Sequence, residues 1–283
     1  MIVDAHHHFW DPATRDHAWL AGLPALRRPF GPAEFAAAAG PEQVTASVLV
    51  QVLASTAETE EFLEMAAADP NSGPRVAGVV GWADLTDPGL DEEIGRLRGL
   101  PGGDRLAGIR HLVQDEPDPD WLARPQVRRG LAAVGRAGLV FDLLVRPAQL
   151  PAAIKVVTGL PEVRFVLDHG AKPEIGLHRN EPWSLLIGTL ADRPNVSCKL
   201  SGLVTEAGPG WTAARIAPFA DRLLDCFGPG RLIFGSDWPV CTAAAASYHQ
   251  VVSLAGALLD GQLSAAERAA VFGGNATALY CLS

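Results

Sequence analysis

Short apolar runs alternate with segments of helical spacing along the whole chain. Most of the runs are continuously apolar rather than alternating, which is typical of parallel strands that are buried on both faces. Eight such runs can be recognised: Ile2–His8, Val44–Val52, Val76–Trp82, Leu106–Leu112, Leu139–Val145, Val163–Leu167, Val196–Leu200 and Leu232–Phe234. The pattern therefore predicts eight buried parallel strands.

The segments between the runs carry helix signals. Ser55 stands three residues before Glu58, as in a capping box. Asp87 followed by Pro88 is typical of a helix N-cap with proline in the first turn. The predicted helices are Ala57–Ala68, Val127–Ala137, Ala152–Val157, Pro182–Ala191, Thr212–Phe227, Ala243–Leu259 and Ala265–Val271. Segment 11–43, rich in proline and arginine, predicts an extended loop with a short helix.

Eight strand–helix alternations predict an α/β fold of the (β/α)8 TIM barrel type. We find no linker, repeat or break in composition, so residues 1–283 are expected to form one domain. The active site of such a barrel lies at the carboxyl ends of its strands. Polar residues should therefore collect where the apolar runs end.

Polar and aromatic residues do collect at the ends of the runs. A single histidine at such a place is usually a packing residue, but several histidines and aspartates on one face of a barrel indicate a working site. The residues are His6, His7, His8, Gln51, Trp82, Asp84, Arg110, His111, Asp142, Asp168, His169, Lys199, Ser201, Ser236, Asp237 and Trp238.

Three consecutive histidines end the first run. Residues two apart in a strand point to the same side, so His6 and His8 should face the barrel mouth together. His7 should face the opposite way and serve in packing. The apolar residues before them and the aromatic residues after them indicate native strand sequence rather than a purification tag.

Composition excludes several classes of partner. The net charge of -9 disfavours nucleic acid and acidic membrane surfaces. No run of about 18 apolar residues is present, and residues 1–11 lack the basic region and long apolar core that are typical of a signal peptide. The four cysteines, at positions 198, 226, 241 and 281, form no CxxC pair and are expected to be reduced thiols of a cytoplasmic protein.

The histidine pair, one later histidine and a final aspartate resemble the skeleton of the amidohydrolase superfamily. These residues are His6, His8, His169 and Asp237. Six ordered motifs along essentially the whole chain resemble the amidohydrolase-2 branch of sugar-lactone hydrolases, and most of all its L-fucono- and L-rhamnono-lactonases. The motifs are DAHHHFWD, GIRHLVQ, VLDHGAKP, CKLSGLVTEA, RLIFGSDWPVC and GGNATALY.

The resemblance implies an enzyme that opens an aldono-1,4- or 1,5-lactone to the aldonic acid. Asp237 would be the general base that activates water, with capping of the following helix as its alternative role. His6, His8 and His169 would either hold one divalent ion with Asp237, zinc being the expected metal, or polarise the lactone carbonyl without a metal. Both interpretations stay open at this stage. The fourth run has no bridging lysine, which argues against a two-metal site.

The remaining polar residues at the run ends are candidates for binding a small-molecule sugar lactone. Because Arg110 and His111 are adjacent, only one of them can point fully into the barrel. Lys199 would either bond to the substrate or bury its stem with the amine in the barrel mouth. The expected substrate-binding residues are Gln51, Trp82, Arg110, His111, Asp142, Lys199 and Trp238.

Three alternatives remain beside the sugar lactonase. A metal-dependent decarboxylase of the same superfamily would use the same barrel, histidines and aspartate. A 2-pyrone-dicarboxylate lactonase would need several cations for two carboxylates, and Arg110 and Lys199 are the clear candidates at the run ends. A barrel that has no catalytic activity and serves only in binding is disfavoured, because all four skeleton residues are present. The sequence leaves open whether the chain forms a homo-oligomer.

Overall fold

Eight parallel strands form one sheet in the computed structural model, which describes residues 2–68 and 73–282. The strands pair in chain order, and each coincides with its predicted run to within two residues at either end. They are β1 Ile2–His7, β2 Val44–Val50, β3 Arg75–Gly81, β4 Leu106–His111, β5 Val140–Leu143, β6 Arg164–Leu167, β7 Val196–Leu200 and β8 Leu232–Phe234.

β1 contacts the segment that directly follows β8. His7 forms a parallel bridge with Trp238. The N–H of His8 donates to the carbonyl of Trp238 at 2.8 Å, and the N–H of Asp237 donates to the carbonyl of His6 at 2.8 Å. The sheet thus closes into a barrel, and the predicted (β/α)8 TIM barrel is confirmed. The assignment of residues 1–283 to one domain stays a prediction.

Helices lie between the strands. Segment 11–43 contains one short helix, as predicted, and also several 3-10 turns, which were not predicted. The helices of the described ranges are α1 Pro32–Ala39, α2 Thr56–Ala67, α3 Leu90–Arg98, α4 Pro125–Arg136, α5 Leu150–Gly159, α6 Trp183–Ala191, α7 Leu203–Ala207, α8 Ala213–Phe227, α9 Tyr248–Leu258, α10 Ala265–Ala269 and α11 Asn275–Tyr280. A π-helical turn, Ala270–Gly274, joins the last two.

The prediction of Asp87 as a helix N-cap is wrong. Its Oδ1 accepts the N–H of Gly89 at 2.8 Å and forms a tight local turn. The helix begins only after Gly89, which occupies the N-cap without a side-chain bond. The short carboxylate therefore satisfies the nearest backbone donor in a turn instead of a helix terminus.

The predicted helix Ala243–Leu259 begins later than expected. Ala245 has a left-handed backbone with φ of 56°, which a continuous helix does not permit. Ser247 then caps α9, because its side chain accepts the N–H of Gln250. The apolar composition before Ser247 gave no sign of this break.

The barrel interior is apolar at one end and charged at the other. At the apolar end the strand side chains pack against Ala276 and Tyr280 of α11. Further along the same strands stand ionisable side chains that are also buried. The apolar layer consists of Val3, Ala5, Val48, Val50, Val80, Val140, Val166 and Ile233, and the charged layer contains Arg110, Asp142, Asp168 and Lys199. Buried charges must be paired, so this layer has to be a connected network.

All four cysteines are free thiols. Among the described helices, none is long and apolar enough to cross a membrane.

Candidate active site

His6 and His8 lie together inside the barrel mouth, and His7 points away from them. The Nε2 atoms of His6 and His8 are 3.2 Å apart. The Nδ1 of His8 is 2.7 Å from the carbonyl of Val50, which fixes this ring with its Nε2 toward the pair. His7 stacks on Phe35 at 4.0 Å between ring centroids and serves in packing. The structure thus gives the two faces that the alternation of side chains predicts.

Asp237 stands opposite the histidines. Its Oδ1 is 3.5 Å from Nε2 of His8 and 3.9 Å from Nε2 of both His6 and His169. The backbone of Asp237 is left-handed, with φ of 56°, which turns the carboxylate back toward the barrel axis. The next helical turn begins after Pro239 and receives no side-chain cap. The alternative role of Asp237 as a helix cap is therefore not seen.

Asp4 holds the Asp237 loop against β1. It accepts bonds from the backbone N–H of Ser236 at 2.9 Å, the Ser236 hydroxyl at 2.6 Å and the Tyr248 hydroxyl at 2.9 Å. It also accepts the N–H of His6 at 3.1 Å. Burial raises the pKa of Asp4 to about 6, against the effect of these bonds. One buried carboxyl group thus fixes the spacing between the histidine strand and Asp237.

His169 follows β6 in a left-handed conformation with φ of 52°. Its Nδ1 is 2.9 Å from the Ser201 hydroxyl, so its Nε2 is left to face Asp237. Gly202 packs directly against this ring, and a Cβ atom at that position would lie 2.5 Å from Nδ1. Any larger residue at 202 would displace His169.

The surroundings favour neutral imidazoles and an ionised carboxylate. Burial lowers the pKa of His6 well below its usual value and that of His169 to about 4. The pKa of His8 is lowered by burial as well. Burial raises the pKa of Asp237, but the nearby His169 and His8 outweigh this effect and hold it below its usual range. Near pH 7 the site therefore holds one anionic base beside three neutral rings.

A cavity of about 310 Å³ opens above these residues. Of the predicted site residues, His8, His169, Asp237 and Arg110 lie on its wall. The other residues of its wall were not predicted as site residues: Trp19, Leu23, Val52, Leu112, Gln114, Asp115, Leu144, Arg146, Lys172, Thr205 and Val240. Most of these lie in loops beyond the strand ends, where apolar periodicity gives no signal.

Three of the predicted substrate-binding residues, Gln51, Asp142 and Lys199, lie beneath the cavity and are fully buried. The Lys199 Nζ is 2.5 Å from Asp142 Oδ2, 3.0 Å from Asp168 Oδ1 and 3.1 Å from Nδ1 of His6. Its amine therefore does not reach the barrel mouth. Asp168, which the sequence showed at a strand end without a role, joins this network.

Arg110 points into the barrel and His111 points out of it. Arg110 Nη1 is 3.0 Å from Asp168 Oδ2. His111 stacks on Trp121 at 4.2 Å between ring centroids, and its Nδ1 accepts the indole N–H of Trp82 at 3.1 Å. As the alternation requires, only one of the two neighbours enters the barrel.

Trp238 lies outside the cavity wall. Its ring packs against Phe30 and Phe35, with centroids 5.6 and 5.5 Å away. This aromatic cluster attaches segment 11–43 to the barrel. Lys172 and Glu206 form an ion pair of 3.7 Å beside the cavity, with Lys172 on its wall.

The donor atoms at the cavity floor suit a divalent ion. His6, His8 and Asp237 each offer one ligand atom within 4.8 Å of the others, and so do His6, Asp168 and His169. Imidazole nitrogens with one carboxylate oxygen are the ligands that zinc prefers. The bond of the His8 Nδ1 to a backbone carbonyl is the outer contact that orients such a ligand.

Comparison with known proteins identifies the family of this chain. The family model described as amidohydrolase matches residues 3–282. The L-fucono-1,5-lactonase of Burkholderia ambifaria is 39% identical, over 98% of this chain and 94% of its own length. That of Burkholderia multivorans is also 39% identical, over 100% of this chain and 96% of its own length. An amidohydrolase from Burkholderia multivorans, crystallised with bound zinc, is 38% identical and superposes with a TM-score of 0.91 over 100% of both chains. This chain belongs to the amidohydrolase family.

Proposed function

We propose that this chain is an enzyme that opens a sugar 1,5-lactone to its aldonic acid. The predicted reaction class, hydrolysis of a lactone, is confirmed by the similarity to two L-fucono-1,5-lactonases over nearly the whole chain. The observation that carries the proposal is the position of Asp237, an anionic carboxylate within 4 Å of three neutral imidazoles on a cavity floor. The reaction would belong to carbohydrate catabolism, after a dehydrogenase that forms the lactone.

Asp237 is the proposed general base. It takes a proton from water, whose oxygen bonds to the lactone carbonyl carbon. When the tetrahedral intermediate collapses, the bond to the ring oxygen breaks and Asp237 returns the proton to that oxygen. The products are one carboxylic acid and one new hydroxyl group, so a single group serves both proton transfers.

The histidine cluster is the proposed site of carbonyl polarisation. His6, His8 and His169 stay neutral because burial lowers their pKa values, so none of the rings competes for the proton of water. Nδ1 of His8 donates its single N–H to the Val50 carbonyl, which leaves His6 and His169 as the rings that can donate an N–H to the lactone carbonyl. A divalent ion held by these rings and Asp237 would supply Lewis-acid polarisation of the same carbonyl. The Asp4 contacts and Gly202 keep the groups in place in either case.

Turnover of a lactone panel tests the proposal. Aldono-1,4- and 1,5-lactones, including L-fucono-1,5-lactone, are assayed with a pH indicator before and after treatment with a chelator, with the metal content measured. We expect hydrolysis of a 6-deoxyhexono-1,5-lactone. If turnover survives removal of the metal, the histidine rings polarise the carbonyl without an ion. If turnover is lost when the metal is removed, the rings act by holding an ion. If no lactone is opened by metal-loaded or metal-free protein, the proposal is wrong.

The pH dependence of turnover should lack the usual histidine inflection. The base and the rings must be unprotonated, and their activity is lost only as pH falls through their lowered pKa values. Because the pKa of His169 is about 4, we expect the rings to cause no loss of kcat/KM between pH 5.5 and 8. The Asp4 carboxyl, with a pKa of about 6, titrates inside this range, so the profile is compared with that of Asp4→Asn. Initial rates, corrected for spontaneous hydrolysis, measure this. An inflection near pH 6.5 that persists in Asp4→Asn would contradict it.

A further inference from the structure

Only half of the predicted capping box at the start of α2 is formed. The Ser55 hydroxyl accepts the N–H of Glu58 at 3.3 Å, as in a capping box. The N–H of Ser55, however, donates to the Leu53 carbonyl at 2.9 Å and not to the Glu58 carboxylate. Glu58 is only 2% exposed, and a buried carboxylate needs hydrogen-bond partners, so Glu58 must bond elsewhere.

The carboxylate of Glu58 bonds to the backbone that follows β2. Its Oε2 accepts the N–H of Val52 at 2.9 Å and the N–H of Leu53 at 3.0 Å. Burial raises the pKa of Glu58 to about 7, against the effect of these two bonds. A proton on Oε1 would leave Oε2 able to accept both N–H groups. The contact therefore needs an accepting oxygen at the right place and not a charge.

The peptide group between Gln51 and Val52 connects Glu58 to the active site. A peptide group is planar, so its N–H and its carbonyl point in opposite directions and move together. Glu58 holds the N–H of this group, and Nη2 of Arg110 donates to its carbonyl. Arg110 is one of the residues on the wall of the active-site cavity. Glu58 and Arg110 thus hold the two ends of one peptide group.

The preceding peptide group, between Val50 and Gln51, orients one histidine of the site. Nδ1 of His8 donates to its carbonyl at 2.7 Å, and its N–H donates to the Val80 carbonyl at 2.9 Å. β2 ends at Val50, and Glu58 continues to fix the backbone beyond that point. The place of the His8 ring therefore depends on a segment that is held by Glu58.

We propose that Glu58 is a positioning residue for lactone hydrolysis, which keeps His8 and Arg110 in place through the backbone at the end of β2. This inference rests on the proposed function and adds to it a residue that is not on the wall of the active-site cavity. A displacement of about 1 Å at a catalytic group can lower a rate by about 10²-fold. Even a small shift of this backbone segment should therefore change turnover.

Two conservative variants separate the position of the oxygen from its charge. Glu58→Gln keeps an accepting oxygen at the same distance and removes the charge, so kcat on L-fucono-1,5-lactone should stay within about threefold of the wild type. Glu58→Asp keeps the charge but is one methylene group shorter, so both N–H groups lose their acceptor and kcat should fall by about tenfold. If Glu58→Asp retains the wild-type kcat, or if Glu58→Gln loses as much as Glu58→Asp, the inference is wrong.

Thr59→Val is the control for a general loss of stability. Thr59 is the next residue of α2 and is also buried, and its hydroxyl donates to the Trp82 carbonyl at 3.0 Å and accepts the Trp82 N–H at 2.8 Å. The variant should have a lower Tm, because these two bonds are lost. Its kcat should stay within about twofold, since the Trp82 indole bonds to His111 outside the barrel. An equal loss of kcat in Thr59→Val and Glu58→Asp would assign the loss to stability and overturn the inference.

The orientation of His8 can be measured without any turnover. In protein with isotope-labelled histidine, the Nδ1–H of His8 should give a slowly exchanging NMR resonance, because it is bonded to a buried carbonyl. Its absence from His8→Asn assigns it. Glu58→Gln and Thr59→Val should keep this resonance, and Glu58→Asp should shift or broaden it. An unchanged resonance in Glu58→Asp would overturn the inference, whereas wild-type protein that opens no lactone would overturn the proposed function instead.

Discussion

Asp237→Asn should lower kcat for lactone hydrolysis by about 10²–10⁴-fold, the usual contribution of a general base. The amide has nearly the same shape as the carboxylate but cannot accept the proton of water. The backbone bond from Asp237 to His6 and the Asp4 contacts on Ser236 do not involve the lost oxygen, so the fold should persist. Steady-state kinetics, together with Tm and the metal content, measure the effect.

Asp84→Asn is the matched control for this change. Asp84 also follows a strand, but its Oδ1 accepts bonds from the N–H and hydroxyl of Thr86 in an exposed turn. The same carboxylate-to-amide change there should leave kcat within about twofold. If Asp237→Asn retains more than a tenth of the wild-type kcat, the assignment of Asp237 as the base is wrong.

The fold could be predicted because the physical signal is strong and repeated. Each parallel strand is covered on both faces, so its sequence is a continuous apolar run that differs from its surroundings. Helix starts are weaker signals, since one polar residue can equally cap a helix or close a turn. Asp87 closes a turn, and the break before α9 depends on the left-handed residue Ala245. Both depend on local backbone geometry that apolar spacing does not encode.

The histidine pair was predicted correctly by an argument that holds only locally. Residues two apart share a face, which placed His6 and His8 together. The pairing of β1 with β2 shifts between Asp4 and His7, however, and Ala5 also packs inside the barrel. Counting alternation from the start of the strand would have placed His7 inside. A bulge of this kind re-aims side chains at a functional site.

The depth of a side chain in the barrel could not be predicted. The sequence showed that Lys199 and Asp142 point inward, but an inward position can contact a ligand or lie beneath the site. Packing decides this, because Tyr280 comes up from α11 and donates to both Asp142 oxygens at 2.9 Å. Tyr280 thus covers the charged layer from the apolar end of the barrel, while Arg110 of the same layer reaches the cavity wall. Most of the cavity wall is instead formed by loop residues, which have no periodic pattern.

The positive and negative charges of the charged layer are equal in number. Two cations, Lys199 and Arg110, face two carboxylates, Asp142 and Asp168, with Asp168 bonded to both cations. Burial raises the pKa of Asp142 to about 6, even though Lys199 opposes this shift. Burial also raises the pKa of Asp168, but Lys199 and His6 reverse the effect and hold it well below its usual value. Removing one cation therefore leaves a buried negative charge without compensation.

Lys199→Met should lower the free energy of unfolding by about 3–5 kcal/mol, the cost of breaking a buried ion pair by removing one partner. Methionine fills most of the volume of the lysine stem, so the loss comes from the charge and not from a cavity. Chemical denaturation at pH 7 measures the change. Lys155→Met is the control, because Lys155 is 69% exposed and pairs with Asp120 only at 3.9 Å. That variant should stay within about 0.5 kcal/mol of the wild type.

The loss in Lys199→Met should also depend on pH. Without the ammonium group, the folded-state pKa of Asp142 rises further above its unfolded value, which is near 4. A raised carboxyl pKa stabilises the fold below the unfolded pKa, and this contribution is lost as pH rises through the folded pKa. The deficit against the wild type should therefore be smaller at pH 5 than at pH 8. Changing Asp142 to asparagine in the same chain should recover part of it, because the uncompensated charge is then absent. A deficit that is equal at both pH values and unchanged in the double variant would show that Lys199 contributes packing and not charge.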